Sequence, residues 1–115
     1  MEITERHEQG ATIALLTGKM DAESVPVFNQ WFDDRMAAGH TRFVLDFGGI
    51  SYLSSAGLRA VLSAGKMLDK QQGHLAICGL YGLARQVFQV SGLLDVLPIR
   101  PGVAESLAAL QETSA

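Results

Sequence analysis

Two adjacent hydroxyl side chains, Ser54 and Ser55, sit in the segment Ile50-Ser51-Tyr52-Leu53-Ser54-Ser55-Ala56-Gly57-Leu58-Arg59. They follow a β-rich run, Arg42-Phe43-Val44-Leu45-Asp46-Phe47, that reads as the central strand. They precede Leu58, Val61, Leu62, Gly65 and Leu68, whose spacing is helical. The start of a helix carries unpaired backbone N–H groups and roughly half a positive charge. A serine there has two uses. One is structural, because its oxygen caps the helix. The other is chemical: the hydroxyl accepts a phosphoryl group, and the helix start tolerates the added charge of about −1.5 to −2. On a weakly polar docking surface the same dianion has to be desolvated, which opposes association. The arrangement predicts a switch that changes partnership and leaves the fold standing.

Other chemistries fail on spacing. His7, His40 and His74 are each more than thirty residues from the next, so they read as separate surface or loop histidines. Cys78 has no ligand partner nearby and reads as a buried, inert thiol in an apolar strand. Gly18-Lys19 is followed by Met20, and Ile13 stands where a phosphate-binding loop needs its first glycine. Gly48-Gly49 lacks the G-x-G-x-x-G spacing and reads as a tight exit from the strand. Ser55-Ala56-Gly57 is no nucleophile elbow, and no histidine lies in a motif context. Asp46 invites comparison with a receiver-domain phosphoacceptor. That site also needs an acidic pair after the first strand and a lysine at a late strand end. Arg6, His7, Ile99 and Arg100 stand there instead, so Asp46 reads as a turn or cap residue. No catalytic, metal or cofactor constellation emerges; a binding module is expected.

Composition narrows the setting. At 115 residues, one core is expected, with 1–111 as the domain and Glu112 to Ala115 as a frayed tail. Hydrophobic residues at 48% and charged residues at 18% exclude disorder. A net charge of −3 with no basic run gives no footprint for nucleic acid. A single cysteine suits a reducing compartment. No apolar run reaches the roughly 18 residues of a membrane span, and Met1 to Arg6 alternates charge with apolar residues, unlike a signal peptide. A cytoplasmic protein with no membrane insertion is the expectation.

The elements that must position the serines follow from periodicity. Ile3 to His7 and Thr12 to Leu16 flank Glu8-Gln9-Gly10 and read as a hairpin. Gly18 and Asp21 break the second strand, and Asp21 or Ser24 can cap a helix marked by Val25, Phe28, Phe32 and Met36 and ended by Gly39. After the central strand and second helix, which stops at Gly73, His74 to Cys78 is the next strand. Leu83, Val87, Phe88 and Val90 mark a third helix, closed near Gly92. Val96 to Ile99 is a brief last strand, and Val103, Leu107 and Leu110 mark a terminal helix. The order β-β-α-β-α-β-α-β-α predicts an α/β fold with a mixed, largely parallel sheet, its first strand antiparallel at an edge.

These pieces taken together resemble a known family. Thr17-Gly18-Lys19-Met20-Asp21, Phe43 to Asp46, Ile50 to Arg59, Gly73 to Leu80 and Val87-Phe88-Gln89-Val90-Ser91-Gly92-Leu93 occur in the order of the STAS domain. The chain looks most like the stand-alone bacterial anti-sigma factor antagonists. The resemblance implies a non-catalytic module that docks on an anti-sigma factor, a serine kinase with a histidine-kinase-like ATP fold, and so releases a sigma factor for transcription. It implies that the kinase phosphorylates one serine of the antagonist, which then dissociates, and that a PP2C-type phosphatase resets it. The family motif Asp-Ser-[Ser/Thr]-Gly-Leu places the acceptor at Ser55, Ala56 at the second hydroxyl position and Gly57-Leu58 at its end. Asp21 matches the aspartate of Gly-x-[Leu/Met]-Asp. Asp21, Ser54, Gly57, Leu58 and Arg59 form the expected docking neighbourhood. Ser54 replaces the motif's aspartate, which leaves it as a second candidate acceptor and keeps open the alternative of a STAS subunit of a lipid-transport ABC ATPase, which no kinase modifies.

Overall fold

A computed structural model describes residues 1–92 and 97–114. Its elements are β1 (Glu2–Glu8), β2 (Ala11–Met20), α1 (Val25–Ala37), β3 (Arg42–Leu53), α2 (Ser55–Lys70), β4 (His74–Cys78), α3 (Gly82–Ser91), β5 (Ile99–Arg100) and α4 (Val103–Ser114). The five strands form one sheet in sequential order. β1 pairs antiparallel with β2, and every other pairing is parallel. The hairpin turn closes with Gln9 and Gly10 both at positive φ. The predicted mixed α/β fold is the observed one.

The alternation of side chains along each strand sorts the core into two layers. Ala14, Leu16, Phe43, Leu45, Phe47, Leu75 and Ile77 face a core built with α1, α2 and α3. Ala11, Ile13, Val44, Ala76 and Cys78 face Leu107 and Leu110 of α4. Phe28 and Phe32 anchor α1, with the Phe32 ring centroid 4.9 Å from that of Phe43.

Several details differ from the sequence expectations. Gly18 does not end β2, which continues to Met20, and Gly48-Gly49 is no exit, because β3 continues through it to Leu53. The two strands stay paired across two register shifts, ending with Met20 opposite Leu53. Gly49 makes this possible, since a Cβ there would lie 2.6 Å from Thr17 Cγ2 and 2.8 Å from the Leu16 carbonyl oxygen. Asp46 lies within the strand, although its Oδ1 does accept the Gly48 N–H two residues on, at 2.8 Å. Ser24 occupies the N-cap position of α1 without bonding to it through its side chain. On α3, Phe88 is buried, but Leu83 and Val90, two of the residues that mark the helix in the sequence, are 73% and 89% exposed. The described part of the last strand is only Ile99–Arg100, and Val96 lies outside the described residues. α4 continues through Glu112 to Ser114, the stretch expected to fray. His7 and His40 are not separate: their rings meet edge-on with centroids 5.4 Å apart, and His40 Nδ1 is hydrogen-bonded to Thr12 Oγ1.

Candidate functional site

The parallel pairing of β2 with β3 decides where the site lies. Met20 and Leu53 are register partners, so the next residues, Asp21 and Ser54, leave the sheet side by side. The Ser54 N–H donates to the Met20 carbonyl at 3.0 Å, locking the start of α2 to the end of β2. In open α/β sheets this carboxyl edge is where ligands and partners bind.

The two serines have different tasks. Ser54 is the N-cap of α2: its Oγ accepts the Gly57 N–H at 3.2 Å, and its carbonyl accepts the Leu58 N–H at 3.0 Å. It is half-buried. Ser55 is the first helical residue and is exposed, and its hydroxyl makes no hydrogen bond among the described residues. No acidic residue stands in the first turn of α2, so the positive end of the helix faces solvent without a resident anion.

Gly57 is buried. A Cβ there would lie 2.6 Å from the Met20 carbonyl oxygen and 2.7 Å from Leu53 Cδ1. The close approach that glycine permits is therefore internal, and it seats α2 on the end of β2. Leu58 is half-buried against the main core. Arg59 is exposed, and its Nε donates to the Ser55 carbonyl at 3.4 Å.

Asp21 organises the neighbouring turn. Its Oδ1 accepts the N–H groups of Glu23 at 3.1 Å and Ser24 at 3.0 Å. Ser24 Oγ accepts the Asp21 N–H and donates to the Lys19 carbonyl at 2.7 Å. The Ser24 backbone donor, foremost, holds the Asp21 carboxyl below the usual carboxylate range. Only one of its oxygens is engaged among the described residues, which leaves a charged oxygen for an outside donor.

Periodicity had no way to flag the aromatic side of this edge. Tyr52 and Tyr81 are 49% and 52% exposed, and the Tyr81 hydroxyl donates to the Ile50 carbonyl at 2.9 Å. Tyr52 is the penultimate residue of β3, and Tyr81 comes three residues after β4 ends, so no regular spacing marks them as a pair. Leu83 follows Tyr81 at the start of α3, so apolar surface continues along the carboxyl edge. On the opposite layer, burial pushes the Cys78 thiol up to about 11, and the Asp46 carboxylate adds to this, which leaves it protonated and unreactive at neutral pH.

The STAS domain model matches residues 2–106. BtrV of Bordetella bronchiseptica, named as an anti-sigma factor antagonist, is 36% identical over 99 residues, covering 86% of this chain and 85% of that protein. A Thermotoga maritima structure, also named as an anti-sigma factor antagonist, superposes with a TM-score of 0.90 at 14% identity, covering 95% of this chain and 94% of that one. SpoIIAA, a Bacillus cell fate determinant solved in its phosphorylated form, gives a TM-score of 0.73 at 21% identity, covering 90% of this chain and 94% of its own. With its sheet order, its helix placement and nearly its full length accounted for, the chain belongs to the STAS domain family.

Proposed function

We propose that this protein is an anti-sigma factor antagonist that works in the cytoplasm by binding, and that Ser55 is its phosphoacceptor. In the unmodified state the edge formed by Asp21, Ser54, Ser55 and Arg59 docks on an anti-sigma factor, a serine kinase with a histidine-kinase-like ATP fold. Docking frees the sigma factor that the kinase had held. In the phosphorylation step the Ser55 oxygen attacks the γ-phosphorus of ATP. The new O–P bond replaces the bond to the bridging β–γ oxygen, ADP leaves and the hydroxyl proton is released. The phosphoserine carries about −1.5 to −2 charges into a contact that was neutral at this atom, and the complex separates. A PP2C-type phosphatase returns the hydroxyl by hydrolysis.

One observation carries this reading. Of two adjacent serines at the mouth of α2, one is used internally as the cap and the other stands exposed with a free hydroxyl. That division favours Ser55 over Ser54 as acceptor. The name of BtrV supports the partner class, and the phosphorylated form of SpoIIAA supports the modification.

The test is intact-mass analysis of protein isolated from its native cells. Wild type and Ser54→Ala should carry an adduct of ~80 Da, the mass of one phosphate group in place of a hydroxyl proton. Ser55→Ala should not carry it, yet should still co-purify with the kinase. Labelling that survives in Ser55→Ala and vanishes in Ser54→Ala would move the acceptor to Ser54. Wild type that never gains phosphate and co-purifies with an ABC ATPase would replace the switch with a permanent transporter subunit.

A further inference from the structure

Arg59 lies four residues after Ser55, so the two side chains share one face of α2. The guanidinium is already drawn toward Ser55, through its Nε bond to the Ser55 carbonyl. Among the described residues it makes no ion pair. Asp33 of α1 lines the same shallow groove between α1 and α2 as Arg59, yet the two form no ion pair. A cation in the opening turns of a helix is poorly placed against the positive helix end, and no acidic residue in the first turn offsets it. The residue before Ser55 is itself a serine and carries no charge.

Resting on the assignment of Ser55 as acceptor, we propose that Arg59 is a built-in clamp for the phosphate of phosphorylated Ser55. An anion at position i and a cation at i+4 is the favourable orientation on a helix. Guanidinium stays charged at every relevant pH and offers parallel N–H donors to two phosphate oxygens. With serine at position 54, the residue next to Ser55 in the chain neither repels the dianion nor competes for Arg59; Asp33, in the same groove, is the carboxylate the phosphate has to outcompete. Phosphorylation then acts twice on the docking edge: it adds a negative group, and it withdraws the one cation of that helix turn from any partner. Arg59 is a positioning residue in this scheme and takes no part in phosphoryl transfer.

The experiment avoids the kinase altogether. Phosphoserine is installed at position 55 of the full chain by codon reassignment, in the wild-type, Arg59→Ala and Arg59→Lys backgrounds, and the phosphate is titrated by ³¹P NMR. The second phosphate ionisation, about 6 for a free phosphoserine, should lie roughly half a pH unit lower with Arg59 than with alanine. Lysine keeps the charge and should recover most of that shift. The Arg59 Nε–Hε resonance should move on phosphorylation. Equal ionisation in the wild-type and alanine backgrounds, or lysine behaving as alanine does, would overturn the clamp. Failure of the Ser55 assignment is read separately, as missing phosphate on native protein.

Discussion

At the scale of single residues, the hydroxyl at position 54 matters as a cap and the one at 55 as a surface group. A serine cap contributes about 1 kcal/mol, so Ser54→Ala should lower Tm by roughly 4 °C in a domain of this size. Ser54→Asp should stay within a few tenths of a kcal/mol of wild type, because aspartate caps equally well. Ser55→Ala, which touches no internal partner, should leave Tm unchanged within about 1 °C. Thermal unfolding by circular dichroism checks all three. A larger loss at 55 than at 54 would reverse the division of labour. Serine at 54 therefore supplies a helix-capping oxygen without adding a charge.

At the scale of elements, β1 is tied to α1 by one carboxylate. Glu5 Oε1 accepts the Trp31 Nε1–H at 2.8 Å and the Arg35 Nε–H at 2.7 Å, while His7 Nε2 lies 2.8 Å from Oε2. Burial disfavours its charge, but the Trp31 and Arg35 donors outweigh that and hold Glu5 below its ordinary value of 4.5. A depressed carboxylate stabilises the fold above its unfolded pKa, and that contribution is lost as pH falls through the lower folded value. The Tm advantage of wild type over Glu5→Gln should therefore shrink on acidification below about pH 4.5. Parallel Tm curves would show that the carboxylate's charge is not what ties the strand down.

The third helix is held by one buried ring, while other apolar residues on it stand in solvent. Phe88 is fully buried and meets Phe47 edge-on at 5.8 Å, so Phe88→Ala should cost about 3–5 kcal/mol in urea unfolding. Leu83→Ser and Val90→Ser should fall within about 0.5 kcal/mol of wild type, since both side chains already stand in solvent. A core-sized loss at Leu83 would mean that its exposure is only apparent.

At the scale of the molecule, Cys78 reports on global opening. It ends β4, an interior strand under α4, and is fully buried, with its thiol pushed up from 9.0 to about 11. A raised thiol pKa keeps the folded state protonated while the unfolded chain ionises, so this stabilisation is complete below the unfolded value and lost as pH rises to the folded one. Wild type should lose stability more steeply than Cys78→Ala between pH 9 and about 11. At neutral pH a thiol reagent should label native protein only at the rate of unfolding, and rapid labelling would contradict the burial.

Residue order alone determined the alternation of strands and helices, the antiparallel first hairpin and the position of a serine pair at the start of the second helix. These follow from local periodicity and turn chemistry, which act over a few residues. Tertiary structure alone decided which serine is spent as a cap, because that depends on the backbone angle at which β3 enters α2. It also decided that β2 and β3 run on past their glycines, since Gly49 is understood only against Thr17 on the neighbouring strand. Leu83 and Val90 kept a helical period yet reached solvent, because periodicity marks an apolar stripe without supplying a surface to cover it. Asp21 and Ser54 are thirty-three residues apart in the chain and become neighbours through the pairing of Met20 with Leu53, a long-range contact that no local pattern encodes.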